Sequence, residues 1–246
     1  VPALCRSHVR PLAAIVSLAL LLVLATVSAV PATRGTPRLP ADLPASERAR
    51  CLAIAQAADV GAHVAAPPFE IRQQVFEYLL DHPVFATHVT RTLRLARYRI
   101  WRTSEGLFLD DGWGTTGRFD LVHAAPGVRV FVARGEYRKA LLPSIEGEAI
   151  AMIEYHAEPR VGQDVVHTTV SGFLRLDSRL AGAALRMLSG IAERKADKEA
   201  RKLMRIFAKT SRRLEEDPAG ALERLRRQPD VPRAELEEFA RLLSAR

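Results

Sequence analysis

Apolar and polar residues alternate through the middle of the chain, while apolar residues recur at helical spacing on either side of it. The alternation predicts strands over 96–103, 107–110, 116–123, 128–139, 148–156 and 165–176. Ser104-Glu105-Gly106, Asp111-Gly112, Ala125-Pro126-Gly127, Pro143-Ser144 and Glu158-Pro159-Arg160-Val161-Gly162 supply the turn residues between them. Connections this short imply an antiparallel meander. Upstream, Val60, Ala62 and Val64 fit a short first strand, and Ile71, Val75, Tyr78 and Leu79 fall on one helical stripe. Pro67-Pro68 reads as the entry to that helix and Pro83 as its end, with a second helix running to about Thr92. Downstream, no proline interrupts 178–214, which predicts a single helix of roughly 55 Å. Its first part, 180–192, is apolar on nearly all sides. Ala192, Ala196, Ala200, Leu203 and Phe207 then continue one stripe through a basic background. Asp217-Pro218 and Asp230-Val231-Pro232 each open a short final helix.

Pairing the strands makes one face of the sheet apolar. With His156 opposite His167, Ile153 faces Val170, Ala151 faces Gly172 and Ala149 faces Leu174. Across Pro126-Gly127, Phe119 is expected to face Val132, and Leu121 to face Val130. Several of these residues are small, which would leave a cavity under a helix lying across them, although a close-packed helix would also want small partners there. Phe119, Leu121, Val130, Val132, Ala151, Ile153, Val170 and Gly172 are the expected lining on the sheet side, and Ala192, Ala196 and Ala200 on the helix side. Trp113, Tyr137 and Tyr155 combine apolar area with a polar tip and suit the rim of such a pocket. The ordinary alternative for all three is a place in the core.

The beginning of the sequence adds an address. Arg6, His8 and Arg10 precede a charge-free run from Leu12 to Val30, and no acidic residue occurs before Asp42. Two readings stand: a signal peptide cleaved after Ala29, or a retained membrane anchor. Both place the rest of the chain outside the cytoplasm, periplasmic or extracellular. Cys5 lies before this run, so cleavage would leave Cys51 as a lone cysteine, expected to be buried and inert. Prolines 31, 37, 40 and 44 mark a linker, followed by a short helix from Ser46-Glu47 to about Ala58.

The formal net charge is +8. Residues 179–213 hold 11 Lys/Arg against 3 Asp/Glu, so that stretch alone accounts for the excess. Such a stripe attracts anionic surfaces. Arg194, Lys195, Lys198, Arg201 and Lys202 are the expected membrane contacts, against the plainer reading of a solvated helix face. Export argues against nucleic acid as the partner.

No catalytic signature is present. There is no phosphate-binding glycine loop followed by a helix, no GxSxG, no HExxH and no CxxC. His156 and His167, with Glu154 nearby, carry zinc-type ligands, but on the face opposite the apolar one, where an exposed polar pair is the simpler reading. Asp120, Glu136 and Glu154 would supply acid–base chemistry only if one of them turned inward. No cofactor, metal site or catalytic residue is assigned.

Val64-Ala65-Ala66-Pro67-Pro68, followed by Val75-Phe76-Glu77-Tyr78-Leu79-Leu80-Asp81, resembles the strand-to-helix entry of the START/Bet v 1-like (SRPBCC) helix-grip superfamily. The helix pair, meander and long last helix extend that resemblance over about two thirds of the chain. It implies an α+β fold, a curved antiparallel sheet gripping the last helix around a hydrophobic cavity, and no fixed catalytic residues. The expected organisation is a signal or anchor at 1–30, a linker and short helix at 31–58, a helix-grip ligand-binding domain at 59–214 and a helical hairpin at 215–246. The expected function is binding or transport of a lipid or other hydrophobic small molecule. The alternatives are a cyclase- or dehydratase-like enzyme using the same cavity, or an accessory protein that docks on anionic membrane.

Overall fold

The computed structural model describes residues 37–138, 144–179, 181–183 and 189–244. The expected signal or anchor lies outside the described residues. The elements run α1 (Ala45–Gln56), β1 (Val60–Ala65), β2 (Phe69–Glu70), α2 (Gln73–Asp81), α3 (Pro83–Thr92), β3 (Arg99–Thr103), β4 (Gly106–Asp110), β5 (Thr115–Ala125), β6 (Val128–Tyr137), β7 (Ile145–Pro159), β8 (Asp164–Leu176), α4 (Ser189–Glu216), α5 (Pro218–Arg226) and α6 (Arg233–Ser244). The strands form one eight-stranded antiparallel sheet in the order β1-β8-β7-β6-β5-β4-β3, with β2 also pairing with β8. The fold is α+β, and its shape is compatible with a helix grip.

Pro67-Pro68 does not lead straight into a helix. Phe69 and Glu70 first pair with Val166 and Val165 of β8. The helix then begins at Gln73, whose backbone N–H donates to Asp164 Oδ2 at 2.8 Å. A carboxylate on a distant strand thus does the work of an N-cap side chain.

The β7–β8 register is the one expected. His156 opposes His167, Ile153 opposes Val170, Ala151 opposes Gly172 and Ala149 opposes Leu174. The β5–β6 register is not. The turn pairs Ala125 with Val128, two residues off the expected register, and a bulge between Leu121 and His123 takes back one, so Phe119 opposes Ala133 and Leu121 opposes Phe131. Strand faces have a period of two, so one extra residue exchanges them. Val130 and Val132 therefore face away from α4, and Phe131 and Ala133 take the inner positions.

Around these two valines the outer face is covered. Val130, Val132, Ile150 and Met152 pack with Leu43, Cys51, Ile54 and Ala55 from α1 and the turn before it. The segment expected to be linker and short helix thus supplies a layer of the fold. Cys51 is buried and unpaired, and burial raises its thiol pKa, with Glu47 adding to the effect.

On the inner face, Ala192 and Ala196 of α4 pack with Val60, Ala62 and Leu174. Further along, Ala200, Leu203, Met204 and Ile206 enter the main core with Phe76, Phe119 and Phe131. Residues 181–183 are helical as well, and a Cβ on Gly182 would meet Asp59 Oδ1 at 2.6 Å. Asp59 is buried there and accepts from the Leu176 N–H at 2.8 Å. The final helices join the same core through Ala221, Leu225, Leu236, Phe239 and Leu243. Asp217 caps α5 by accepting from the Gly220 N–H at 2.8 Å.

Candidate functional site

Between the inner face and α4 runs a narrow apolar cleft. Gly61, Ala62, Ala133, Ala149, Ala151, Gly172 and Ala196 open it, and Phe119 and Phe131, with ring centres 6.3 Å apart, narrow it. Its interior volume is about 20 Å³. That holds about one water-sized body, whereas small-molecule pockets measure roughly 300–1,000 Å³. None of the residues lining it is ionisable. Of the expected lining, Phe119, Ala151, Gly172 and Ala196 are present. Leu121, Ile153, Val170 and Ala200 are packed into the core instead, and Ala192 packs beside the cleft. Val130 and Val132 lie on the other side of the sheet.

The expected aromatic rim does not assemble. Tyr137 pairs with Ile145 at one end of β7, and Tyr155 lies ten residues further along that strand, roughly 33 Å away. Trp113 sits in the β4–β5 loop, about 39% exposed. Tyr155 belongs instead to a polar network that is buried at Arg129 and reaches the surface at Asp81. Its hydroxyl donates to Glu77 Oε1 at 2.9 Å and accepts from Arg129 Nη1 at 2.8 Å. Arg129 in turn holds Asp81 through Nε at 2.6 Å and Nη2 at 2.9 Å. The network ties α2 to β6 and β7, and a paired arginine is the kind of charge a protein interior tolerates.

Burial, then the Glu77 bond, pushes the Tyr155 hydroxyl up to about 12. The unfolded value is about 10, so the contribution is fully present below pH 10 and is lost as the pH rises toward 12. Tyr155→Phe keeps the ring and removes the hydroxyl. It is expected to cost about 1–2 kcal/mol at pH 7 and to flatten the stability decline between pH 10 and 12. Part of the decline will persist, because burial also raises Tyr78 and Tyr98. Urea unfolding across that pH range checks this.

Asp120, Glu136 and Glu154 all occupy outer-face positions, so none supplies acid–base chemistry to the cleft. Glu136 is held by Arg138 at 2.8 Å and by Ser144 at 3.1 Å. His156 and His167 stack with ring centres 4.6 Å apart. Glu158, rather than Glu154, completes a three-donor cluster there, its donor atoms all within 4.8 Å of one another. Two of the three residues are exposed.

The solvent face of α4 is the most ordered charged feature. Arg194, Lys198, Arg201, Arg205, Lys209 and Arg212 are all exposed. Their steps of four, three, four, four and three residues follow the helical period. They form one ridge about 27 Å long. Ala192, Ala196, Ala200, Leu203 and Ile206 occupy the buried face. Among the expected membrane contacts, Arg194, Lys198 and Arg201 stand on the ridge. Lys195 and Lys202 are half-buried on its flank, and Lys202 Nζ lies 3.1 Å from Glu199. Arg201 is paired with Asp197 at 3.6 Å. Arg205, Lys209 and Arg212 were missed, although extending the same spacing by three turns would have found them.

No helix among the described residues is long and apolar enough to cross a membrane. No protein-family model and no curated protein matches this chain.

Proposed function

We propose that this protein works at a membrane surface, docking on anionic lipids through the cationic ridge of α4. The ridge is the observation that carries this reading. Six cations in line, backed by a buried apolar face, present a flat charged edge that a bilayer surface can meet along its length. Each cation close to an anionic leaflet contributes about 1 kcal/mol. The charge-free run from Leu12 to Val30 supports a membrane over another polyanion, because a retained anchor would raise the local lipid concentration seen by the ridge. The protein is expected to sediment with phosphatidylglycerol-containing vesicles and not with purely zwitterionic ones. Binding should weaken sharply as salt shortens the screening length below about 8 Å. Salt-indifferent binding, or equal binding to both vesicle types, would remove the proposal.

The apolar cleft favours a second reading, in which the protein binds or carries an apolar molecule. Its lining of alanine and glycine is suited to an acyl chain, and burial would contribute about 25 cal/mol per Å². A volume of about 20 Å³ does not hold one, so a carrier must first separate α4 from the sheet. Native mass spectrometry of gently purified protein is expected to show a co-purifying lipid on this reading. Protein that is ligand-free and rejects apolar probes would end it.

A further inference from the structure

The connection from α3 into β3, the last turn of α4 and the end of α5 with the turn that follows it enclose an open groove of about 1010 Å³. Arg91, Arg94 and Arg97 stand on the first wall, and Arg213, Arg224 and Arg227 on the second. The walls differ in how their charge is balanced. Arg213 meets Glu216 at 3.8 Å, Arg224 meets Asp217 at 3.2 Å, and Arg227 pairs with Glu223. Asp230, the carboxylate among the lining residues, faces His88 Nδ1 at 3.7 Å. Arg91, Arg94 and Arg97 are exposed. Among the described residues, no carboxylate forms an ion pair with any of these three.

Arg94 adds a second, independent observation. Its φ of 57° makes it the one non-glycine residue with positive φ among those described. It closes α3: the Leu95 N–H reaches back to Thr90 O at 2.8 Å, and the Arg94 N–H to Arg91 O at 2.9 Å. This is a left-handed helix stop, where glycine is preferred because a Cβ is disfavoured. The chain keeps an arginine where glycine would be more stable, and that arginine lines the groove. The negative end of the helix dipole gives Arg91 and Arg94 some reason to be there. That end carries only about half a charge, too little to balance three cations.

We propose that this groove binds a small phosphorylated anion, held by Arg91, Arg94 and Arg97. Guanidinium forks match phosphate oxygens in pairs, and three uncompensated cations suit a group carrying about two negative charges. The groove is far larger than a bare phosphate, so the phosphate would belong to a larger small molecule or to a lipid headgroup.

The test uses the full chain and pyrophosphate as the probe, titrated by calorimetry at low salt. Wild-type protein is expected to bind. Arg94→Gly should raise the melting temperature by about 2–4 °C while weakening pyrophosphate binding roughly tenfold. Arg94→Lys should leave the melting temperature unchanged and also weaken binding, because it keeps the backbone strain and loses the fork. Vesicles containing phosphatidic acid or phosphatidylglycerol, matched in surface charge, separate the two sources. A preference for phosphatidic acid that Arg94→Gly removes assigns the anion to a headgroup. Pyrophosphate binding without that preference assigns it to a soluble molecule. Wild-type protein that binds neither pyrophosphate nor phosphatidic acid preferentially, or an Arg94→Gly variant that binds as tightly as wild type, overturns the proposal. Charge reversal on the α4 ridge should leave pyrophosphate binding intact, so this site and the membrane reading fail separately.

Discussion

Phe76→Ala is expected to cost about 3–5 kcal/mol of folding stability. Phe76 is fully buried, and its ring meets three others edge to face: Phe69 at 5.6 Å, Tyr155 at 5.2 Å and Phe207 at 5.5 Å. Those partners come from β2, β7 and α4, so one side chain from α2 joins the sheet to the long helix. Alanine would remove the shared partner of three rings and leave a void among them. Phe76→Leu keeps most of the volume and should lose less than half as much. Urea denaturation of the three proteins, with slopes compared as well as midpoints, measures this. A loss below about 1.5 kcal/mol for the alanine variant would show that the site collapses freely, and that α4 is not held to the sheet through this ring.

The sequence revealed the part of the fold governed by local rules. The β7–β8 hairpin was legible because its turn residues and its alternation agree, so opposing His156 to His167 placed Ala151 against Gly172 correctly. β5–β6 was not: the expected pairing is two residues off at the Pro126-Gly127 turn, and the bulge between Leu121 and His123, which decides the faces, has no distinguishing residue, since Val122 looks like any member of an alternating run. One unmarked insertion then moved Val130 and Val132 to the wrong face. α1 was legible as a helix but not as a covering layer. Its buried residues, Cys51, Ile54 and Ala55, are few and mostly small, too weak a stripe to announce what they pack against. The cleft was legible in composition and not in volume. Alternation identifies which alanines face inward, but the space they leave depends on how the rings of Phe119 and Phe131 fill it. The α4 ridge lay in plain helical spacing. The arginine groove could not be read in advance, since its two walls are brought together only by the packing of α5 beside α3.

Reversing Lys198, Arg205 and Lys209 to glutamate is expected to weaken binding to anionic vesicles by a hundredfold or more. Removing three surface attractions loses about 3 kcal/mol, and the introduced repulsion adds to it. The three positions are exposed, lie in the interior of α4, and belong to no ion pair among the described residues. Glutamate forms helix as readily as lysine or arginine, so the melting temperature should hardly move. The control is Arg102→Glu with Arg226→Glu and Arg241→Glu, three exposed cations off the ridge whose reversal lowers the net charge equally. If binding depends on where the charge stands, the ridge triple loses it and the control keeps most of it. Equal losses in both would mean that overall basicity alone draws the protein to lipid. In that case the helical spacing of Arg194, Lys198, Arg201, Arg205, Lys209 and Arg212 follows only from which face of α4 is left to water.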